Sequence, residues 1–186
     1  TLRFHDMNGK TNANRNSPNR PLVRFGSLET PIGPIFVAIS DDGLFDVTFG
    51  IAEPVRYVAR LGSRVVKALP DRRAVSDVLD QLHNYFSGHL TRFTIPFDLR
   101  GSTNFTYRVL LATSHIPFGE TVSYGETAKR VGSPGASRAV GGALGRNPLP
   151  IVIPCHRVIS SDGGIGGFTG GAAVKKALLR LEGHRV

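Results

Sequence analysis

Hydrophobic and polar residues follow different patterns along the chain, and each pattern predicts a different kind of structure. Residues 1–20 contain five asparagines and four basic side chains but almost no apolar periodicity, so a mobile, solvated leader is predicted there. From residue 22 to residue 50, short β-rich runs are separated by the turn sequences TPIGP and SDDG. This alternation is typical of a meander of strands.

One helix and one further strand are predicted after the meander. The helix ends at Gly88, and its core-facing side chains, which recur at helical spacing, are Val75, Val78, Leu79, Leu82 and Phe86. Residues 91–99, TRFTIPFDL, alternate between apolar and polar positions and predict a strand. We therefore expect a small α/β domain over residues 21–98, followed by a linker over residues 99–104.

The rest of the chain, residues 105–186, is predicted to be mainly helical. Residues 104–116 form an amphipathic pattern whose predicted core face is Phe105, Val109, Leu110 and Ile116. The sequences VSYGETAKRV, GSPG and ASRAVGGALGRN then predict a helix, a tight turn and a second helix, which is the form of a helix-turn-helix.

Three glycines, Gly141, Gly142 and Gly145, make the second of these helices unusual. An internal glycine costs about 1 kcal/mol relative to alanine, so its backbone is expected to approach something closely. One interpretation is contact with another helix. The other is contact with a nucleic-acid groove, which is favoured by the basic side chains of the two-helix unit, Lys129, Arg130, Arg138 and Arg146.

Charge supports an anionic partner, with nucleic acid as the first candidate. The formal net charge is +9, and residues 101–186 contain 10 Lys and Arg against 4 Asp and Glu. Each neutralised phosphate releases counterions, which favours binding of such a domain to nucleic acid. The alternative interpretation is a general surface charge that keeps the protein soluble.

Composition also excludes several classes of protein. The chain has one cysteine, so an internal disulfide and a multi-cysteine zinc site are excluded. No segment approaches the roughly 20 apolar residues that a membrane-spanning helix needs, and no signal-peptide pattern is present. We expect an intracellular protein without membrane, metal or cofactor, cytoplasmic in a prokaryote or nuclear in a eukaryote.

The single cysteine, Cys155, ends a short apolar run that is bounded by prolines. A buried cysteine is often an unreactive core residue. Here, however, His156 is adjacent, Glu182 lies in a predicted helix, and Asn147 stands eight residues upstream beside a rigid turn. These residues predict a nucleophile with a base and an orienting group. Neighbouring side chains on a strand point to opposite faces, so His156 is expected to reach the sulfur through a water molecule.

The motif NPLPIVIPCHRVI, residues 147–159, resembles the active-site signature of the 6-O-alkylguanine-DNA alkyltransferases, also called methylated-DNA–protein-cysteine methyltransferases. The flanking sequences FGETVSYGETAKRVGSPGASRAVGGALGRNP, GGFTGG and LLRLEGHR resemble the same family in order and spacing. The resemblance covers residues 101–185 closely and the first half more loosely, through ETPIGP and LHNYFSG. It implies a ribonuclease-H-like α/β N-terminal domain and a mainly α, winged-helix-type C-terminal domain with a helix-turn-helix.

The resemblance also implies direct-reversal DNA repair. Cys155 would take the alkyl group from 6-O-alkylguanine, and also from 4-O-alkylthymine, irreversibly and once per molecule. His156 would be the water-linked base, Glu182 its carboxylate partner, and Asn147 the brace of the active-site turn. The partner would be double-stranded DNA, bound in the minor groove by a monomer; cooperative binding is left open.

Two residues are implied to act on DNA, and four to form the base pocket. Arg138 would replace the extruded nucleotide in the base stack, and Tyr124 would assist its rotation. The predicted base pocket is formed by Val158, Phe168, Thr169 and Leu144. Many relatives have tyrosine at the position of Phe168, so a hydroxyl that could assist the leaving guanine is missing here. The glycine-rich loop GGIGGFTGG would let backbone approach the base, although such a loop can also be a plain flexible hairpin.

Three alternatives remain at this point. A non-catalytic alkyltransferase-like protein would bind lesions without reacting, but such relatives typically carry tryptophan in place of the cysteine, and this chain has none. A cysteine hydrolase would leave the basic helix-turn-helix unexplained. A transcriptional regulator would need sequence-selective binding, which small minor-groove helices provide poorly.

Overall fold

The computed structural model describes residues 20–186, and the first half of the chain is built on a four-stranded sheet. Its elements are β1 (Leu22–Leu28), β2 (Ile35–Ser40), β3 (Gly43–Phe49), α1 (Pro54–Leu61), β4 (Lys67–Pro70) and α2 (Ser76–Phe86). The strand order is β3-β2-β1-β4; β2 is antiparallel to both β1 and β3, and β4 is parallel to β1. The meander predicted for residues 22–50 is therefore confirmed. The leader predicted for residues 1–20 lies, apart from Arg20, outside the described residues.

The two faces of the sheet are covered by different parts of the molecule. Helix α1 covers one face through Tyr57 and Leu61, which pack with Phe36 and Phe45. The other face packs against α2 and the second half of the chain in one continuous hydrophobic core. The register between β2 and β3 shifts between Ala38 and Ile39, a β-bulge that leaves Phe45 without a cross-strand partner of its own.

The prediction of a strand over residues 91–99 is wrong. This segment runs extended across the end of β3 but makes a single bridge, between Leu44 and Phe97. The alternation of apolar and polar positions does correspond to an extended chain. Pro96, however, has no N–H to donate, so the segment cannot form a continuous ladder of hydrogen bonds with a neighbouring strand. The segment therefore closes the core at the sheet edge without joining the sheet.

The predicted helix face of α2 is correct except at its end. Val75, Val78, Leu79 and Leu82 are buried, whereas Phe86 is only half-buried. The fully buried aromatic side chain in the last turn of α2 is Tyr85. Tyr85 lies three residues after Leu82, which keeps it on the same helix face.

The second half of the chain is mainly helical. Its elements are α3 (Asn104–Ser114), β5 (Val122–Ser123), α4 (Tyr124–Arg130), α5 (Ser137–Leu144), β6 (Val158–Ile159) and α6 (Gly171–Leu181). Helices α4 and α5 pack against each other and against α3, so the predicted helix-turn-helix form is confirmed. The side chain of Thr103 caps α3 and that of Ser123 caps α4, which explains where these helices begin.

The two halves are joined by the shared core and by direct hydrogen bonds. The backbone N–H of Val47 in β3 donates to the carbonyl of Pro148 at 2.8 Å. Asp98, Arg100 and Asp42 form an ion-paired cluster where the chain leaves the first half. Among residues 20–186, no helix has the length and apolarity needed to cross a membrane.

Gly43, at the start of β3, provides a test of this packing. Its φ is +135°, and a Cβ there would lie 2.4 Å from the Pro96 carbonyl oxygen. We predict that Gly43→Ala lowers the free energy of unfolding by about 3 kcal/mol, because it adds a collision with backbone to the strain of a positive φ. Gly33→Ala is the matched control, since Gly33 also has a positive φ but open space around it. Urea unfolding of both variants checks this; equal losses would show that the contact with Pro96 is unimportant.

Candidate active site

A cavity of about 440 Å³ opens beside Cys155, where four segments of the second half converge. Its lining residues are Tyr124, Gly141, Leu144, Gly145, Cys155, Gly167, Phe168 and Thr169. They come from the start of α4, from α5, from the 3₁₀ turn at Cys155–Arg157, and from the loop before α6. The cavity is therefore formed jointly by the helix-turn-helix and the predicted reactive motif.

A strained turn presents Cys155 to the cavity. Ile151 has a φ of +75°, which is rare for a β-branched residue and costs conformational free energy. Asn147 holds this turn: its Nδ2 donates to the Ile153 carbonyl at 2.9 Å and to Cys155 Sγ at 3.2 Å. Its Oδ1 accepts from the backbone N–H of Leu149 at 3.0 Å. One buried amide thus fixes both the turn and the sulfur.

The thiol of Cys155 is buried, and this keeps it protonated at neutral pH. Burial raises the pKa of Cys155 to about 11. The hydrogen bond from Asn147 and the nearby charge of Lys175 oppose this rise but do not cancel it. Loss of the proton therefore requires a base close to the sulfur.

His156 is the buried imidazole next to the thiol, and its two nitrogens have different surroundings. Nε2 lies 2.8 Å from Glu182 Oε1, so Nε2 carries the hydrogen and donates it. Nδ1 is buried and has no hydrogen-bond partner among residues 20–186, which leaves its lone pair available. Burial holds the pKa of His156 below its ordinary value, against the opposing pull of Glu182, so the ring is neutral at pH 7.

Glu182 is ionised although it is buried. Burial opposes its charge, but hydrogen bonds from His156 and Arg157 hold its pKa well below the ordinary range. Arg157 Nε donates to Oε2 and its NH2 group to Oε1, both at 2.8 Å. Tyr85 Oη donates to Oε1 at 2.7 Å, and the backbone N–H of Gly119 donates to Oε2 at 3.3 Å. Both oxygens of the Glu182 carboxylate therefore accept hydrogen bonds from more than one donor.

The loop before α6 packs against Tyr124 and is held by Lys175. A Cβ on Gly166, whose φ is +67°, would lie 2.8 Å from Tyr124 Oη, so only glycine fits there. Lys175 is buried, and its Nζ donates to the Val158 carbonyl at 2.6 Å and to the Gly167 carbonyl at 3.3 Å. Burial lowers the pKa of Lys175 to about 8.

Two models of the 6-O-methylguanine DNA methyltransferase family match the chain. The DNA-binding domain model matches residues 104–184, and the ribonuclease-like domain model matches residues 23–99. The chain belongs to this family. The first half is accordingly the ribonuclease-like N-terminal domain, and the second half is the helical DNA-binding domain.

Full-length relatives agree with this assignment. The methylated-DNA–protein-cysteine methyltransferase of Mycobacterium leprae is 43% identical over 170 residues, which cover 89% of this chain and 95% of that protein. The protein of the same name from Methanosarcina acetivorans is 38% identical over 164 residues, covering 86% of this chain and 97% of that protein. The Mycobacterium tuberculosis OGT structure in complex with DNA has a TM-score of 0.75 at 42% identity, covering 86% of this chain and 92% of that chain.

The structure brings most of the residues singled out in the sequence to one place. Cys155, Tyr124, Leu144, Phe168 and Thr169 line the cavity. Asn147, His156 and Glu182 lie behind the sulfur in the contacts described above. Of the six residues predicted to act on DNA or to form the base pocket, two do not line the cavity, Val158 and Arg138. Val158 is fully buried, and its carbonyl already accepts from Lys175.

Arg138 is exposed on α5, on the helix face that also carries three glycines. Gly141, Gly142 and Gly145 follow it at spacings of three, four and seven residues, which places them on that face. Because Gly141 and Gly145 line the cavity, Arg138 lies on the face of α5 that borders the cavity.

Three further side chains hold the site together and have no role in the sequence-based prediction: Tyr85, Arg157 and Lys175. Arg157 is part of the PCHRV motif but was assigned no role. Lys175 precedes Leu178 and Leu179 at helical spacing, and this spacing is the signal that indicates its place on the buried face of α6. The predicted core face of α2 includes Phe86 and not its neighbour Tyr85. Among residues 20–186, no cluster of His, Cys, Asp or Glu is arranged to hold a metal ion.

The high pKa of Cys155 predicts slow thiol modification at neutral pH. In the protein without DNA, we expect the rate of Cys155 alkylation by iodoacetamide to keep rising above pH 9.5, because the thiolate forms only as the pH approaches about 11. Intact-protein mass spectrometry measures the rate, with near-UV circular dichroism confirming the fold at each pH. A plateau below pH 8.5 would contradict the assignment of a protonated resting thiol.

Proposed function

We propose that this chain repairs DNA by direct reversal, with Cys155 as the acceptor of an alkyl group from 6-O-alkylguanine in a DNA duplex. The observation that carries the proposal is the position of the single cysteine. Its sulfur faces a cavity built by the helix-turn-helix and is held by Asn147, with a neutral His156 beside it. DNA is the partner of a structural neighbour of this chain, the Mycobacterium tuberculosis protein.

Alkyl transfer is an in-line displacement at the alkyl carbon. The sulfur forms a bond to that carbon, the bond between carbon and the guanine 6-oxygen breaks, and its electron pair stays on guanine. The thiol proton passes to Nδ1 of His156 through a bridging water. The departing guanine anion then takes up one proton relayed from the imidazolium through water, so His156 returns to neutral and charge balances. Glu182 stabilises the imidazolium that forms, and Arg157 keeps the carboxylate ionised and fixed.

Helix α5 is proposed to enter the minor groove. Its glycines bring backbone close to the sugar and phosphate groups, and Arg138 fills the space that the extruded nucleotide leaves in the stack. Tyr124 lies at the start of α4 beside the cavity, where it can guide rotation of the nucleotide. The exposed basic residues Lys129, Arg130 and Arg146 add attraction for phosphates.

The flipped base is proposed to lie between Leu144 and Phe168. Phe168 offers a ring face for stacking, and the backbone at Thr169 offers a donor toward the 6-oxygen. The carbonyl of Cys155 is a proposed acceptor for the exocyclic amine of guanine. The Val158 carbonyl, which already accepts from Lys175, would use its second lone pair for the same amine. The same pocket admits 4-O-alkylthymine as a second substrate, and the protein acts as a monomer that needs no cofactor.

Each molecule reacts once, because the thioether formed on Cys155 has no route back to a thiol in this site. The chain has a single cysteine, so no second thiol is present to take the alkyl group from the thioether. The protein is therefore consumed in proportion to the lesions repaired.

The direct test is the intact mass of the protein after mixing with a duplex that contains one 6-O-methylguanine. We predict one added methyl group per molecule, mapped to Cys155, and a matching loss of lesion from the DNA. Cys155→Ser should bind the lesion duplex but gain no mass, since the hydroxyl is a far weaker nucleophile. A wild-type protein that binds the lesion tightly without gaining mass would instead support the recognition-only alternative.

A further inference from the structure

Phe49, the last residue of β3, is a side chain of the N-terminal domain that contacts the wall of the alkyl pocket. The ring of Phe49 stacks on the ring of Phe168, with centroids 5.9 Å apart and planes 7° from parallel. Phe168 lines the cavity beside Cys155, whereas Phe49 is not part of the described lining. Phe49 therefore contacts the Phe168 wall without itself being part of the described lining.

Phe49 also packs directly on the backbone at Gly170. A Cβ built on Gly170 would lie 2.1 Å from Phe49 Cε2 and 2.7 Å from Phe49 Cζ. Only a glycine lets the ring approach this closely. Phe49 thus contacts both residues that flank Thr169, whose backbone faces the proposed site of the guanine 6-oxygen.

The loop before α6 has few other anchors. Six of the nine residues 163–171 are glycines, so Phe168 is its main apolar side chain. The side chains of other segments make long hydrogen bonds with it: Tyr124 Oη lies 3.4 Å from the Gly167 carbonyl, and Lys175 Nζ lies 3.3 Å from the same carbonyl. The shorter bond from the Gly164 N–H to Asp162 Oδ1, at 3.0 Å, is local to the turn at the start of the loop. Thr169 Oγ1 lies 3.4 Å from the Gly145 carbonyl. Aromatic packing on Phe49 is therefore a principal restraint on the position of the loop.

Strand β3 holds Phe49 rigidly enough to serve as this restraint. Phe49 pairs with Ile35 of β2, and Val47, two residues earlier, is bonded to Pro148 of the DNA-binding domain at 2.8 Å. Pro148 is adjacent to Asn147, which holds the sulfur. Strand β3 therefore contacts both the segment that holds the nucleophile and the opposite wall of the pocket.

We propose that Phe49 is a positioning residue that sets the size of alkyl group this protein transfers, by acting through Phe168. It fixes the distance between the Phe168 wall and Cys155, so that a methyl carbon is held close to the sulfur. The inference rests on the proposed alkyl transfer and adds a specificity determinant from the N-terminal domain.

Removing the ring should change the balance between small and large alkyl groups. In Phe49→Ala, Phe168 can retreat into the space vacated by the Phe49 ring, so a methyl group is held less firmly and a benzyl group gains room. We expect the methyl-transfer rate to fall about tenfold and the benzyl-transfer rate to fall less than about threefold, because reaction rates are sensitive to small displacements of the reacting atoms.

The experiment compares single-turnover transfer from duplexes that carry one 6-O-methylguanine or one 6-O-benzylguanine, measured by intact mass. Phe45→Ala is the matched control, since Phe45 lies in the same strand but packs in the cluster under α1. Phe45→Ala should lower stability while leaving the benzyl-to-methyl ratio unchanged. Phe49→Leu keeps an apolar contact without ring stacking and should shift the ratio in the same direction by a smaller amount.

An unchanged ratio in a folded Phe49→Ala, with both rates lowered equally, would overturn the proposal and leave Phe49 a purely structural residue. If Phe49→Ala does not fold, the benzyl-to-methyl ratio of transfer rates in Phe49→Leu tests the proposal instead. Failure of the proposed function is distinguishable, because wild-type protein would then transfer neither group.

Discussion

The buried carboxylate of Glu182 is the interaction on which the rest of the active site depends. Its two oxygens accept hydrogen bonds from His156, Arg157, Tyr85 and Gly119, which come from three segments and from both domains. A buried carboxylate without these donors would be strongly destabilising, so the segments must come together as a unit. The same charge that organises the packing also fixes the imidazole next to the thiol.

This arrangement keeps the nucleophile unreactive until a substrate is present. Burial keeps Cys155 as a thiol and His156 as a neutral base, and Arg157 balances the negative charge of Glu182. Proton transfer creates charge inside a closed site, where a bound base can stabilise it. A single reactive cysteine that can be used once is thereby protected from unproductive alkylation.

Most of the site residues predicted from the sequence lie together in the structure, because they belong to one short motif and its neighbours. It could not predict Tyr85, which meets Glu182 across 97 residues and from the other domain. Phe49 was missed for the same reason, since no local pattern shows which loop a strand end will touch. The strand expected over residues 91–99 was wrong for a different reason. Alternation of apolar and polar positions indicates an extended chain, but the available hydrogen-bond partners decide whether that chain joins a sheet.

The central claim is that His156 is a neutral base whose Nε2–H is held by Glu182. Nitrogen-15 NMR of histidine-labelled protein measures this directly, because protonated and unprotonated ring nitrogens differ widely in chemical shift. We expect a neutral Nε2–H tautomer at pH 6.5, where an ordinary histidine is half protonated. An imidazolium at pH 7, or a hydrogen on Nδ1, would contradict it, since neither form can take the proton from Cys155.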